Sequence, residues 1–565
     1  MQQALLVLAF QVKVAAFAAQ PVALPADDSV RTLSRAREAQ AAFERVRRYA
    51  LPPGLGSDGR CDVRLGRYCW WYDGHTPTFP PERPTVRDHR RDLIARLDSS
   101  ALRLPGDNWI VAMRVHYRID AKDFAGADSA ASSCRASAWW CSALIGYAAH
   151  ANGNEVRSDS AFTSAISAMD STTACAWRSV APLLAGGDRN RYEKLSCAER
   201  TALEPRFWLL SAAMLSAPGN EWRNEFNARR VVSWIAERSA TPHALAWGDD
   251  AEELVLRYGW PVAWSRVQSS ASMTFGDGGI IGHDPSPSFV FTPRDWLVDT
   301  TSAVGNDAWS FDDSRGESRF APRQVRRVSS ATAQFARFRR GDSTLVVAAY
   351  AARDDSLRAP ATTLAVASLD GRVTVSAADS SAHGRVRVMA GGPSFVAGTD
   401  THDTTSHTLA RSRVVFAAHA DSGNSLTLSD LLVYRPGELP SETLDSALAR
   451  AVAGDTVTRT APIGLFWESY GLTAVSDTVD VAVTVERVDH GWIRSAKQRL
   501  GLTPVDTPIR MRWTDPRAAT SAMTGHSISL ALDNLDAGRY RITLALTPLN
   551  GRPAVSAREV ELIDR

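Results

Sequence analysis

Two hydrophobic periods divide the chain. In DNWIVAMRVHYRID (107–120) and WWCSALIGYAAHANG (139–153) apolar residues recur at three and four positions, the spacing that gathers them on one stripe of an α-helix. Beyond residue 310 the recurrence drops to two, as in DSTLVVAAYAA (342–352), TLAVASL (363–369), DTVDVAVTVERV (477–488) and RYRITLALTPL (539–549). Alternation of that kind, broken by Gly- and Asp-rich turns, predicts strands with one covered face. Composition changes at the same place: fourteen of seventeen tryptophans and all six cysteines precede residue 310, so the border is one between domains. The expected fold is multidomain, an all-α helical-repeat region followed by two mainly antiparallel, β-sandwich-like domains.

The helical part repeats itself. ADSAASSC (127–134) and SDSAFTSA (158–165) superpose at an offset of 31, which also carries Trp109 onto Trp140, Ala112 onto Ala143 and Met113 onto Leu144. A period near thirty, with small residues at helix crossings, describes stacked helical hairpins that bury their apolar faces only against one another. The pattern resembles a tetratricopeptide repeat over about two units, with Gly146, Gly153, Phe162 and Ala165 at packing positions; the proline that usually ends the second helix is missing. The resemblance implies a concave surface for peptide segments.

The second half divides again at RPGELPSETLDSALARAVAGDTVTRTAP, where turn signals surround one short helical run. Six candidate strands follow, at 462–472, 480–488, 509–513, 526–535, 540–546 and 556–563. They suit a small antiparallel sandwich of immunoglobulin-like size without the Cys-Trp-Cys signature. The expected organisation is a targeting segment over 1–26, helical repeats over 27–200, a distinct segment over 201–266, a loop-rich linker over 267–329, a β-domain over 330–435, a linker over 436–461 and the terminal sandwich over 462–565.

Charge narrows the partners. The formal net charge is +2, which argues against nucleic acid. Lysine occurs only at Lys13, Lys122, Lys194 and Lys497, so arginine clusters such as Arg323, Arg326, Arg327 reflect a chain-wide bias and read as solvated faces. The amino-terminal MQQALLVLAFQVKVAAFAAQ has the apolar run and small residues of an export signal, and no later stretch reaches the length of a membrane span. Six cysteines with no C-x-x-C pair fit disulfides in an oxidising compartment: Cys61 with Cys69, Cys134 with Cys141, Cys175 with Cys197.

The stretch ALAWGDDAEELVLRYGWPVAWSR (244–266) sets three tryptophans among four carboxylates. With the Phe-Trp pair and the Asn-Glu-x-x-x-Glu-Phe-x-x-Arg helix upstream, it resembles the GWxTD domain of exported bacterial proteins. The positions carrying the resemblance are Phe207, Trp208, Asn220, Glu221, Glu225, Phe226, Arg229, Trp247, Asp250, Tyr258, Gly259 and Pro261; Ala246 stands in place of the motif's glycine and Asp249 in place of its threonine. The family has no established catalytic residues, so the resemblance implies none here. Aromatic rings with a polar edge suit a seam between layers, and Asp249 and Asp250 suit a helix cap or turn. Catalysis by two acids requires them to face each other across a cleft, which neighbours in one turn rarely do.

Other constellations are weaker. FGDGGIIGHDPSPS (275–288) lacks the P-loop lysine, THDTTSH (401–407) with His402 and His407 beside Asp400 and Asp403 reads as a polar hairpin, and no Gly-x-Ser-x-Gly or His-Glu-x-x-His pattern occurs. No catalytic residue, cofactor or metal is expected. The reading is a non-enzymatic, exported, periplasmic or outer-envelope scaffold that binds protein partners through its helical repeats. The alternative is an envelope hydrolase acting on glycan or peptide, with acids from 249–253 or the His283 loop. Oligomeric state stays open.

Overall fold

The structure is a computed structural model that describes residues 26–53, 63–72, 80–266, 280–284, 286–294, 303–312, 316–377, 380–417, 426–471, 478–488, 508–515, 523–548 and 552–564. Residues 1–25 of the expected targeting segment, and Cys61, lie outside them, as does the side chain of Cys69.

Helices come first: α1 (Ala26–Tyr49), α2 (Pro84–Arg103), α3 (Asn108–Asp120), α4 (Phe124–Ser132), α5 (Ala138–Ala151), α6 (Glu155–Ser167), α7 (Ser171–Arg178), α8 (Gly186–Glu193), α9 (Cys197–Ser211), α10 (Glu221–Glu237) and α11 (Asp249–Tyr258). The offset of 31 has a backbone counterpart. Asp123 caps α4 by accepting the Gly126 N–H, and Asn154, 31 residues on, caps α6 by accepting the Arg157 N–H. Just before each cap the chain turns through positive φ, at Lys122 (60°) and Gly153 (79°). Gly146 is required by close approach, since a Cβ there would lie 2.9 Å from the Phe162 ring of α6. The bridges Cys134–Cys141 and Cys175–Cys197, with Cα–Cα distances of 5.5 and 5.9 Å, join neighbours in sequence as expected.

Among the helices lies a small sheet of β1 (Val63–Leu65), β2 (Tyr68–Tyr72), β3 (Ala263–Arg266) and β4 (Ile280–Asp284), ordered β1-β2-β4-β3. The span expected as a loop-rich linker is therefore corrected: it supplies β4, and its Phe289, Phe291, Trp309, Phe311 and Phe320 enter a core shared with α9 and α10. Periodicity missed this because the aromatics stand singly between turns and bury one ring at a time.

The β-rich part begins with β5 (Arg327–Ser330), β6 (Thr332–Arg340), β7 (Ser343–Ala351), β8 (Ala361–Ala367), β9 (Val373–Ala377), β10 (His383–Gly391), β11 (Val396–Asp403) and β12 (Thr408–Val415). A five-stranded sheet β5-β12-β11-β8-β9 is covered on both faces over its four strands other than β9. One face carries Ala365, Leu409 and Val415 into the core with Phe207 and Trp208; the other carries Leu364, Val366 and Ala397 into a core with Val346, Ala348 and Val388 of the sheet β10-β7-β6. On the helical side Arg411 and Arg413, both fully buried, donate to the carbonyls of Ala212 and Ala213 at 2.6 to 3.3 Å, just past the end of α9. Unpaired carbonyls and the negative end of the helix dipole gather there, so two guanidiniums are held with one carboxylate, Asp400, 3.9 Å from Arg413. Burial still pushes Arg413 down to about 10.

The chain continues through β13 (Thr427–Leu428), β14 (Leu432–Tyr434), α12 (Leu444–Ala449), β15 (Thr456–Thr458), β16 (Ile463–Tyr470), β17 (Val479–Arg487), β18 (Ile509–Asp515), β19 (Met523–Leu530), β20 (Gly538–Pro548) and β21 (Ala554–Ile563). The last six strands fall on the six sequence candidates. They belong to two sheets, β16 pairing with β19 and β17 lying between β18 and β20, which share a core containing Trp467, Val483 and Leu544. The boundary expected at 435 shifts, because β13 and β14 pair with β16. The span expected as a linker over 436–461 holds α12, whose Leu444 and Leu448 pack with Phe338 of β6 and Phe466 of β16.

Candidate functional site: the seam between helices and sheets

Of the residues that carry the GWxTD resemblance, Asn220, Glu221, Glu225, Phe226 and Arg229 lie on or beside α10, which packs on α5, α6 and α11, whereas Trp247, Asp250 and Pro261 lie beside the small sheet, against Tyr68, Arg67 and Gly282. Asn220 caps α10 by accepting the Arg223 N–H at 3.0 Å and donates to the Trp208 carbonyl at 2.7 Å. Phe207 and Trp208 lie on α9 with centroids 4.8 Å apart, and Trp208 meets Phe226 at 5.5 Å.

Within the set Glu225 and Arg229 pair with each other, while Glu221 and Asp250 find partners outside it, in Arg323 and Arg67. Glu225 and Arg229, one turn apart on α10, form an ion pair at 2.6 Å. Arg229, stacked over Trp222 at 4.8 Å, also donates to the carbonyls of Leu256 on α11 and Arg319. His150, in the last turn of α5, stands between two carboxylates: Nε2 is 2.8 Å from Glu225 and Nδ1 is 3.0 Å from Glu155. Burial alone favours the neutral ring, but the hydrogen bonds to Glu155 and Glu225 outweigh it and raise His150 to about 9. For Glu225, burial is outweighed by Arg229 and His150, which hold the carboxyl well below its usual range. Arg323 closes the seam, donating its side chain to the His150 carbonyl at 2.5 Å and its N–H to Glu221 at 2.7 Å.

Tyr258 and Gly259 end α11. Gly259 sits at φ 92°, and a Cβ there would lie 3.2 Å from the Arg229 guanidinium, so position 259 combines a left-handed backbone with close approach. Pro261 packs against Gly282 of β4 in the same manner. Trp247 is half-buried, adjoining both the helical core and a small cluster of Tyr68, Leu254 and Tyr258, with Trp260 at 6.5 Å.

The four carboxylates of 249–253 diverge. Asp249 is exposed. Asp250 accepts from the backbone and side chain of Arg67 at 2.8 to 3.1 Å, and that arginine holds its pKa at about 2. Glu252 pairs with Arg230 at 3.1 Å, and Glu253 with Arg189 and Arg257 at 2.6 and 2.5 Å. The expected cap is thus replaced, for Asp250, by a long-range ion pair, while α11 starts from Gly248 without a side-chain cap.

His283 of β4 is buried, its Nε2 2.7 Å from Ser265 Oγ of β3. Asp403 accepts from the N–H groups of Ala359, Thr405 and Ser406 at 2.8 to 3.2 Å and from that of Arg358, organising the β11–β12 turn, while His407 is exposed at φ 53°. Among the described residues no three His, Cys, Asp or Glu side chains converge to hold a metal ion. A cavity of about 10 Å³, bordered by Glu44, Arg47, His116, Tyr117 and Trp260, has room for about one water. Sequence reasoning missed His150, Glu155, Arg323 and Arg67: His150 and Glu155 lie 5 positions apart but 75 and 69 from their partners on α10, and Arg323 and Arg67 lie 173 and 183 from theirs.

No protein-family model matches the chain, and no curated protein is significantly similar to it. Among solved structures, Salmonella alpha-2-macroglobulin is similar in a mutant form and after reaction with methylamine, at 14% and 12% identity, each over 43% of this chain and 15% of that one, with TM-scores of 0.16. Escherichia coli alpha-2-macroglobulin activated by porcine elastase is 10% identical over 44% of this chain and 24% of its own, with a TM-score of 0.14. The chain thus spans between 15% and 24% of the length of these proteins, and at such scores the overlap carries no functional inference.

Proposed function

We propose that the chain is an exported, non-enzymatic scaffold of the cell envelope, a relative of the GWxTD domain proteins with tetratricopeptide-like hairpins that bind partner proteins and sandwich-like β-modules that space and display them. One observation carries the reading: Glu225 and Arg229 of the GWxTD-like set are spent on partners inside the seam, with His150 ringed by Glu155 and Glu225, and Glu225 tied to Arg229. Groups so paired hold layers together and leave no free acid or base to face a substrate. Two disulfides suit an oxidising compartment, and among the described residues no helix is long and apolar enough to cross a membrane.

The Ser265–His283 hydrogen bond of 2.7 Å favours a second reading, an envelope hydrolase in which Ser265 attacks an acyl carbon and passes its proton to His283, which gives it to the departing amine or alcohol as the acyl–leaving-group bond breaks, water then hydrolysing the acyl-enzyme. Co-purification of the full chain from envelope extracts, followed by direct titration of each recovered protein against the purified chain, tests the first reading. The expected outcome is a saturable partner whose affinity is unchanged by Ser265→Ala and by single alanine substitutions at Asp249, Glu252, Glu253, His402 and His407. Labelling of the chain by a fluorophosphonate, abolished by Ser265→Ala in a folded protein, overturns it in favour of the hydrolase.

A further inference from the structure

We propose that the chain associates with a second copy of itself through β9, edge to edge, so that the five-stranded sheet continues across two molecules. This goes beyond the scaffold reading and stands without it.

β9 ends its sheet, pairing antiparallel with β8 in a register that sets Val375 opposite Ala365 and Val373 opposite Ala367. Residues opposite one another share a side of the sheet. Ala365 and Ala367 are fully buried in the core built on Phe207 and Trp208, yet Val375 and Val373 on that same side are 45% and 41% exposed. The helical layer stops one strand short and leaves Val373 and Val375 as an apolar shelf.

Natural edge strands are blocked by lysine, proline, inward charges or bulges. β9 reads VTVSA and has no charge and no proline, whereas β10, the edge of the facing sheet, exposes Arg385 and Arg387. On the inner side Thr374 borders a cavity of about 80 Å³ with Val366, Arg372, Ala390 and Pro393, so the mouth between the sheets is unfilled beside this strand.

The strand fits its own copy. About a two-fold axis through Val375, antiparallel pairing sets Val375 against Val375 of the second copy and Val373 against Ala377, so contacts on the exposed side are all apolar. A net charge of +2 over 565 residues means that like copies meet little repulsion, and the charges flanking the strand, Arg372 and Asp370, pair with each other at 2.9 Å, so the edge offers a strongly charged partner little gain. Five residues of strand make a small interface, so the association is concentration-dependent and reversible.

Sedimentation equilibrium of the purified full chain tests this, with no partner protein present. A monomer–dimer equilibrium is expected. Val375→Arg places like charges face to face at the axis and weakens the association by roughly tenfold or more. Opposed Cβ atoms at such a pair lie about 5 Å apart, so Val375→Cys is expected to give a disulfide-linked dimer on mild oxidation, while Thr374→Cys, facing the interior, does not. A chain that stays monomeric at every concentration, or a dimer that Val375→Arg leaves intact and Val375→Cys fails to cross-link, overturns the proposal. Should Val375→Arg impair folding, the cross-linking pair alone decides.

Discussion

His150 Nε2 lies 2.8 Å from Glu225 Oε2, joining the end of α5 to the second turn of α10 across 75 positions of sequence. Glu155 holds the other ring nitrogen, so a protonated imidazole is part of the folded state. Raised from the ordinary 6.5 to about 9, His150 contributes stability that is fully present below pH 6.5 and lost as pH rises through about 9. The loss is on the order of 3 kcal/mol. Thermal unfolding between pH 6 and pH 10 should show this decline, and His150→Gln should flatten it; a decline of equal size in the variant refutes the assignment.

Glu225→Gln removes the carboxylate that both His150 and Arg229 face. Breaking a buried pair leaves a desolvated charge behind, so a cost of about 3–5 kcal/mol is expected in urea unfolding. Arg229→Lys should also destabilise, because an ammonium cannot meet Glu225, the Leu256 carbonyl and the Arg319 carbonyl together.

Gly259→Ala meets two obstacles, the φ of 92° and the Arg229 guanidinium 3.2 Å from the new methyl. A loss of about 1–3 kcal/mol is expected, read as a lowered unfolding midpoint. Unchanged stability would mean that the α11 terminus relaxes freely.

Trp247→Ala is expected to destabilise by about 2 kcal/mol, less than a fully buried tryptophan because the ring is only half covered. Asp250→Asn should cost under about 1 kcal/mol, since its ion pair with the partly exposed Arg67 is screened. A reversed order in chemical unfolding would place the weight of this stretch on its acids.

Peptide mapping without reductant should recover Cys134–Cys141 and Cys175–Cys197, with Cys61–Cys69 as the third pair. Each bridge is worth about 2–4 kcal/mol through its constraint on the unfolded chain. Six free thiols or crossed pairs would overturn the pairing.

Local pattern was enough for much of the architecture. Periods of 3.6 and 2 separated helices from strands, the offset of 31 located two hairpins whose caps, Asp123 and Asn154, superpose, and all six terminal strands fell where alternation placed them. These are short-range properties: a stripe of apolar residues or a capping side chain acts on its own few neighbours, so the sequence carries it openly. The tertiary structure alone decided the rest. β11 and β12 read as polar, yet Asp400, Arg411 and Arg413 are buried because a helix end offers them carbonyls from residues 212 and 213, about 200 positions away. The aromatics of 289–320 became core instead of linker for the same reason, and three of the four acids of 249–253, Asp250, Glu252 and Glu253, were scattered onto arginines at 67, 189, 230 and 257. Burial makes a charge or a lone ring depend on the partner it meets, and the partner is chosen by how the layers dock, which no local period encodes.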